Sequence, residues 1–106
     1  MTQYRFMQKN GKYVIDIDGH AGYANHGKDI VCSAISILCY TLLQCLAEEQ
    51  SQGNIADLHI DQDDGHIHAE VIPFPEAREK VGQSIQTILT GLKLLNYQYP
   101  QYVQSF

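Results

Sequence analysis

Apolar and polar residues alternate through residues 3–19, on both sides of the dipeptide Asn10-Gly11. That dipeptide is typical of a two-residue type I′ loop, so the segment is predicted to form a β-hairpin. The turn fixes which residues face each other across the hairpin: Phe6 with Ile15, Tyr4 with Ile17, and Arg5 with Asp16. The apolar pairs lie on one face and the ion pair on the other, so the register suits both faces of a sheet.

Residues 55–72 alternate in the same way around Asp64-Gly65 and predict a second hairpin. Its apolar face consists of Leu58, Ile60, Ile67, Ala69 and Val71. Its polar face consists of Asp57, His59, Asp61, His66, His68 and Glu70. These are metal-binding residue types, but the turn sets carboxylates opposite histidines on a flat surface, for example Asp61 opposite His68. Because a metal site needs converging ligands, we expect a solvent face of complementary charges and no metal.

Two longer segments, residues 29–50 and 76–97, follow the helical period. Asp29 is a natural N-cap for the first of them. Their core stripes are Val31, Ala34, Ile35, Leu38, Leu42, Cys45 and Leu46 in the first helix, and Ala77, Val81, Ile85, Ile88, Leu92 and Leu95 in the second. The order ββαββα predicts one α+β domain over residues 1–106. It would be a two-layer sandwich with an antiparallel sheet from two hairpins and both helices on one face.

The first helix is apolar nearly all round, because Ile30, Ile37 and Tyr40 fall outside its core stripe. One sheet and one neighbouring helix do not easily cover this second side, and exposed apolar patches mark interfaces. We therefore expect a homodimer formed partly by this side. The alternative is that the C-terminal aromatic residues fold back over it: Tyr97, Tyr99, Tyr102 and Phe106.

The composition suits one ordinary globular domain, with 106 residues and 44% apolar content. Twelve acidic residues against seven basic ones give a net charge of −5, which argues against direct nucleic-acid binding and is compatible with a basic protein partner. We see no N-terminal signal segment and expect no apolar run to approach a membrane span. The chain is therefore predicted to be cytoplasmic and independent of membranes.

All three cysteines, Cys32, Cys39 and Cys45, fall on the first predicted helix. Their spacing separates neighbours by roughly 10 Å along the helix axis, too far for a disulfide. Reduced thiols fit a cytoplasmic location. We interpret Cys39 and Cys45 as packing residues, since cysteine is among the most frequently buried residue types.

Cys32 differs from the other two because it stands in the first turn of the capped helix, a setting that favours the reactive thiolate. His20, at the end of the preceding strand, is the candidate base of a cysteine hydrolase. The backbone N–H groups of Cys32 and Ser33 are expected to hold the oxyanion. Asp29 is expected to cap the helix, and orienting His20 is a second role considered for it.

Residues 20–28 contain glycines and no periodic apolar pattern, so they are predicted to form a loop. This loop lies beside the proposed nucleophile. We expect it to act as a lid over bound peptide, with Gly22 and Gly27 as hinges and Tyr23 between them.

The stretch GHAGYANHGKDIVCSAIS, residues 19–36, resembles the signature of the ribosomal-processing cysteine protease family, Prp (also called YsxB-like). The matching positions are Gly19, His20, Ala21, Gly22, Tyr23, Gly27, Asp29, Ile30, Val31, Cys32 and Ser36. Ser33 and Ile35 stand where smaller or similar residues are expected. The resemblance extends over the whole chain, because chain length and element order also agree. The C-terminal part contains the matching tripeptide Gly91-Leu92-Lys93 and the dipeptide Tyr99-Pro100.

This resemblance implies His20 as the base and Cys32 as the nucleophile, and it implies a homodimer. We expect Asp29, Ser33 and Ser36 to support the pair, and we expect no cofactor. The implied substrate is the N-terminal extension of a large-subunit ribosomal protein, cut after an aromatic-rich stretch that precedes small and basic residues.

Two other functions fit parts of the same pattern. A binding module could use the loop and the helix start to hold a ribosomal protein without cutting it. A zinc site could be formed by His20, His26 and Cys32, since histidine and cysteine are zinc ligands.

Overall fold

The chain folds as two β-hairpins and two helices in the predicted order, followed by a fifth short strand. A computed structural model describes all 106 residues. The elements are β1 (Thr2–Lys9), β2 (Lys12–Asp18), α1 (Ile30–Ser51), β3 (Ile55–Asp63), β4 (His66–Pro73), α2 (Arg78–Gln98) and β5 (Val103–Ser105), with a single 3₁₀ turn, Pro75–Ala77, before α2. The predicted α+β architecture is confirmed.

Both hairpin registers are those that the turn dipeptides predict. In the first hairpin Phe6 faces Ile15 and Arg5 faces Asp16, whose charged groups approach to 2.8 Å. In the second hairpin Asp61 faces His68 and His59 faces Glu70. The two hairpins join through β2 and β4, and the strand order across the sheet is β3-β4-β2-β1-β5.

The fifth strand makes the sheet mixed, where an antiparallel sheet was predicted. β5 runs parallel to β1 and pairs Val103 with Thr2. Val103 is fully buried, and the Thr2 N–H donates to the Tyr102 carbonyl at 2.8 Å. A strand of three residues carries too little alternation to be recognised in a sequence.

The core lies between the sheet and the helices and contains 21 buried apolar residues. Glycines bring α2 close to both of its neighbours. A Cβ atom at Gly82 would lie 2.6 Å from the Tyr13 hydroxyl on β2, and one at Gly91 would lie 2.6 Å from Leu38 on α1. A side chain at either position would have to displace Tyr13 or Leu38, so both glycines allow α2 to pack closely against its neighbours.

The second side of α1 is not covered by the chain itself. Ile30, Ile37 and Tyr40 remain exposed. The expected alternative, coverage by the C-terminal aromatic residues, is wrong, because Tyr99 and Tyr102 pack against Tyr23 instead. Phe106 also lies elsewhere, beneath the Arg5 guanidinium.

By length and composition alone, α1 is also apolar enough to cross a membrane, contrary to the expectation from the sequence. The core helix of a soluble protein passes the same test. In this fold one side of α1 is buried against the core, with Val31, Leu42 and Leu46 fully inaccessible.

The open face of the sheet carries an ion-pair network centred on His68. Its ring nitrogens contact Asp16 at 2.5 Å and Glu70 at 3.0 Å, and Lys12 contacts Glu70 at 2.7 Å. Hydrogen bonds to Glu70 and Asp16 raise the pKa of His68 above its ordinary value of 6.5. Hydrogen bonds from Lys12 and His68 lower the pKa of Glu70 to about 2.

This network predicts that the free energy of unfolding falls as the pH rises above the ordinary histidine pKa of 6.5. A histidine with a raised pKa in the folded state contributes fully below its unfolded pKa of 6.5, and the contribution is lost as the pH rises through the folded pKa. We expect the free energy of unfolding in urea to decline above about pH 6.5. His68→Gln should flatten that decline.

His59→Gln is the matched control, because His59 lies on the same face but is mostly exposed and pairs only with Asp61 on its own strand. It should leave the pH dependence unchanged. An identical pH dependence in wild type and His68→Gln would refute the assignment to His68.

Candidate active site

The position of the His20 backbone is set by the end of β2, where Gly19 precedes it. Gly19 adopts a φ of +94°, and a Cβ atom there would lie 2.3 Å from the Met1 carbonyl oxygen. The Gly19 carbonyl accepts a hydrogen bond from the Thr2 hydroxyl at 3.2 Å. Only glycine satisfies both the positive φ and the close approach, so the strand end is held rigidly in front of the histidine.

Asp29 joins the start of α1 to the loop before it. One carboxylate oxygen accepts the Cys32 N–H at 2.8 Å, and the other accepts the N–H groups of Tyr23 at 2.9 Å and Ala24 at 3.2 Å. Burial acts to raise the pKa of Asp29, but the hydrogen bonds from the backbone outweigh it and lower the pKa. The predicted N-cap is confirmed, and the partners of the carboxylate do not include His20.

The same hydrogen bonds contradict the predicted oxyanion hole. The Cys32 N–H is committed to the Asp29 side chain, and the Ser33 N–H donates to the Asp29 carbonyl at 3.0 Å. The Ser33 hydroxyl donates to that carbonyl as well, at 3.1 Å. In this conformation neither N–H is free, because the cap and the first helical turn use both.

The loop has an anchored first half and an exposed second half. Ala21 is buried, and the Tyr23 ring packs edge-on against Tyr99 and Tyr102 at 5.6 and 5.3 Å between ring centres. Residues 24–28 are exposed.

Gly22 and Gly27 adopt φ values of +73° and +86° and lie on either side of residues 23–26. No atom lies within 4 Å of a Cβ built on either of them. These glycines are therefore required by the backbone angle and not by lack of space.

His20 and Cys32 line the same two adjoining cavities, of about 540 and 690 Å³. Cys32 is half-buried on the helix, whereas the His20 side chain is 62% exposed. No hydrogen bond joins the two side chains in this structure. The ring nitrogen Nε2 of His20 instead lies 3.8 Å from the Asp64 carboxylate.

The cavity walls include residues that the sequence did not assign to the site. They are Asp63 at the end of β3, Asp64 and Gly65 in the turn, and His66 at the start of β4. Nothing in the local pattern marks this turn as part of a site, because it lies far along the chain from His20. Ser36, a predicted supporting residue, lines both cavities.

His26 also lines both cavities, beside His20 and Cys32. These are the three residues of the zinc site that the sequence left open. The structure contains no group of three or more histidine, cysteine or acidic side chains placed to hold a metal ion.

Cys39 is buried on the core side of α1. Burial raises the pKa of Cys39 to about 11, with a further contribution from Cys32. A thiol with that pKa is almost entirely protonated at neutral pH, so Cys39 is a packing residue. All three cysteines are free thiols.

An α+β domain that holds a cysteine in a capped helix start and a histidine in the same cavity has the arrangement of a cysteine hydrolase. The family model described as cysteine protease Prp matches residues 1–104. The chain belongs to this family, and it is a cysteine protease.

Curated relatives carry the same family name. The ribosomal processing cysteine protease Prp of Bacillus subtilis is 24% identical over 103 residues, covering 93% of this chain and 90% of the relative. Its namesake in Staphylococcus aureus is 24% identical over 88 residues, covering 83% of this chain and 79% of the relative.

Solved structures share the fold. The S. aureus essential ribosomal processing protease Prp, in complex with a covalently linked product peptide, superposes with a TM-score of 0.79 at 23% identity, covering 99% of this chain and 97% of that one. SMU.848 from Streptococcus mutans gives a TM-score of 0.68 at 27% identity, covering 99% and 91%.

Removing the Asp29 cap should loosen both the helix start and the loop. Asp29→Ala is expected to lower the free energy of unfolding by about 1 kcal/mol or more, because three backbone N–H groups lose their acceptor. The cleavage rate should fall by more than the fraction of unfolded protein explains, because Cys32 lies on the helix turn that frays. Asp29→Asn retains one acceptor oxygen and should lose less.

Urea unfolding and cleavage rates of both variants test this prediction. Asp57→Ala is the control, because Asp57 is exposed on β3 and away from both cavities. Equal stability in wild type and Asp29→Ala would contradict the bridging role.

Proposed function

We propose that this protease uses Cys32 as nucleophile and His20 as base to remove the N-terminal extension of a large-subunit ribosomal protein. The observation that supports the pair most directly is that both side chains line the same two cavities. The substrate class is supported by the curated relatives, which are named ribosomal processing proteases. It is also supported by S. aureus Prp structures with a substrate peptide and a covalently linked product peptide.

In this mechanism the Cys32 sulfur attacks the scissile carbonyl while its proton passes to His20. His20 then protonates the leaving amine, and a thioester to Cys32 remains. Water, deprotonated by His20, hydrolyses that thioester and frees the enzyme. The resting distance between the two side chains has to shorten for the first proton transfer, as is common when catalytic groups tighten around bound substrate.

The developing oxyanion needs a donor that the cap does not already use. The Cys32 and Ser33 N–H groups donate to Asp29. Ser36 lines both cavities one turn further along α1, and its hydroxyl takes no part in the cap. In our proposal Ser36 and backbone groups of the exposed loop supply this stabilisation.

The loop then acts as the lid, with Gly22 and Gly27 as its hinges. Tyr23 lies between the hinges and packs on the C-terminal tyrosines in this structure, so movement at Gly22 would break that contact. The net charge of −5 complements a basic ribosomal protein. Free thiols agree with our placement of the reaction in the cytoplasm.

The catalytic pair is tested by cleavage of the extended ribosomal protein, followed by mass spectrometry. Cys32→Ala should abolish cleavage, and His20→Ala should slow it by roughly 100-fold or more. Cys45→Ala is the control, because Cys45 lies on the same helix but outside both cavities. If Cys32→Ala loses activity only in proportion to a lowered melting temperature, Cys32 is structural and the mechanism is wrong.

We also propose a homodimer that uses the exposed second side of α1. Ile30, Ile37 and Tyr40 are each more than half exposed, and no other part of the chain covers them. Burying such side chains between two copies removes apolar surface from water, at roughly 25 cal/mol per Å².

Sedimentation at micromolar concentration tests the dimer. The wild type should sediment as a dimer, and Ile37→Lys as a monomer, because the lysine would place a charge in the contact. Gln86→Lys adds the same charge on an exposed position of α2 and should not dissociate the dimer. A monomeric wild type would refute the dimer, and a dimeric Ile37→Lys would place the contact elsewhere.

A further inference from the structure

We infer that the tight turn between β3 and β4 positions His20, because the imidazole packs against Gly65 of that turn. This inference rests on the proposed role of His20 as the base. It adds a positioning element that lies 45 residues along the chain from the base.

The backbone of the turn holds the residue before His20. β2 and β4 pair as far as Asp18 opposite His66. The next step of the ladder is the Gly19 N–H, which donates to the Gly65 carbonyl at 2.7 Å. The pairing of the two strands therefore ends directly in front of His20, and the direction in which that residue leaves the sheet is set by the turn.

The imidazole ring also lies directly against Gly65. A Cβ atom on Gly65 would stand 2.7 Å from Nε2 and 3.1 Å from both Cδ2 and Cε1 of His20. Real Cβ atoms do not approach other atoms that closely, so the ring occupies the space that any side chain at position 65 would need. Gly65 also has a φ of +71°, which favours glycine independently.

The orientation of the ring follows from this contact. The ring edge that carries Nε2 faces the turn, and Nε2 is also the atom nearest to the Asp64 carboxylate, at 3.8 Å. We therefore assign Nδ1, the ring nitrogen on the other side, as the acceptor of the Cys32 proton in the proposed mechanism. The Asp64 carboxylate is 94% exposed, so solvent screens its attraction, and the Gly65 contact is the larger constraint.

Adding a side chain at position 65 should displace the base without unfolding the protein, because the His20 ring is mostly exposed and can rotate away. Gly65→Asn is the best variant, since asparagine tolerates a positive φ while its Cβ still meets the ring. Gly53→Asn is the matched control. Gly53 has a φ of +80°, and no atom lies within 4 Å of a Cβ built there.

We expect Gly65→Asn to lower kcat for peptide cleavage by about 10-fold or more relative to Gly53→Asn, with KM changing much less, because misplacing a catalytic group acts on the chemical step. The ¹⁵N signals of the His20 imidazole should shift in Gly65→Asn alone. Gly65→Ala adds only the Cβ atom and should show the same two effects relative to Gly53→Ala, which carries the same cost of a positive φ without a contact to His20.

Equal kcat values and unchanged His20 signals in the Gly65 and Gly53 variants would overturn this inference while leaving the catalytic pair intact. Failure of the proposed function looks different, because Cys32→Ala or His20→Ala would then retain cleavage. A loss of kcat without any shift of the His20 signals would also overturn it, since the turn would then act by another route.

Discussion

The candidate site depends first on the Asp29 carboxylate. It accepts backbone N–H groups from the helix start at Cys32 and from the loop at Tyr23 and Ala24. The first N–H groups of a helix have no acceptor within the helix. Here one buried carboxylate accepts a hydrogen bond from the helix start and two more from the loop that precedes it. Because those hydrogen bonds outweigh the effect of burial and lower the pKa of Asp29, the cap stays ionised through the neutral range. Cys32 is thereby fixed relative to the loop that borders it.

The second half of the site is fixed by the sheet. His20 leaves β2 at the point where its ladder with β4 ends, next to Gly65. The proposed nucleophile, Cys32, is therefore held by contacts local in the sequence, and the proposed base, His20, by contacts between distant segments. Such a division lets the two groups be placed independently. No hydrogen bond joins their side chains in this structure, as expected if His20 approaches the thiol only once peptide fills the cavities.

The sequence predicted what local rules control. The dipeptides Asn10-Gly11 and Asp64-Gly65 gave both hairpin registers, and Asp29 gave the helix start. Contacts between distant segments could not be predicted from local patterns. Two examples are the pairing of the three-residue β5 with β1 and the position of the second turn beside His20. The oxyanion prediction failed for a different reason. An N-cap binds the N–H groups of the first helical turn, so the cap that was correctly predicted already used the donors assigned to the oxyanion.

The exposed side of α1 connects assembly to the site. Ile37 and Tyr40 belong to the uncovered apolar strip, and both also line the larger cavity together with Cys32. Any surface that packs on this strip therefore borders the space in which a peptide would lie. In the proposed dimer the partner subunit would form one wall of that space, and a peptide held there would contact both copies. Ile37→Lys would then change peptide affinity as well as assembly, whereas Gln86→Lys on α2 would change neither.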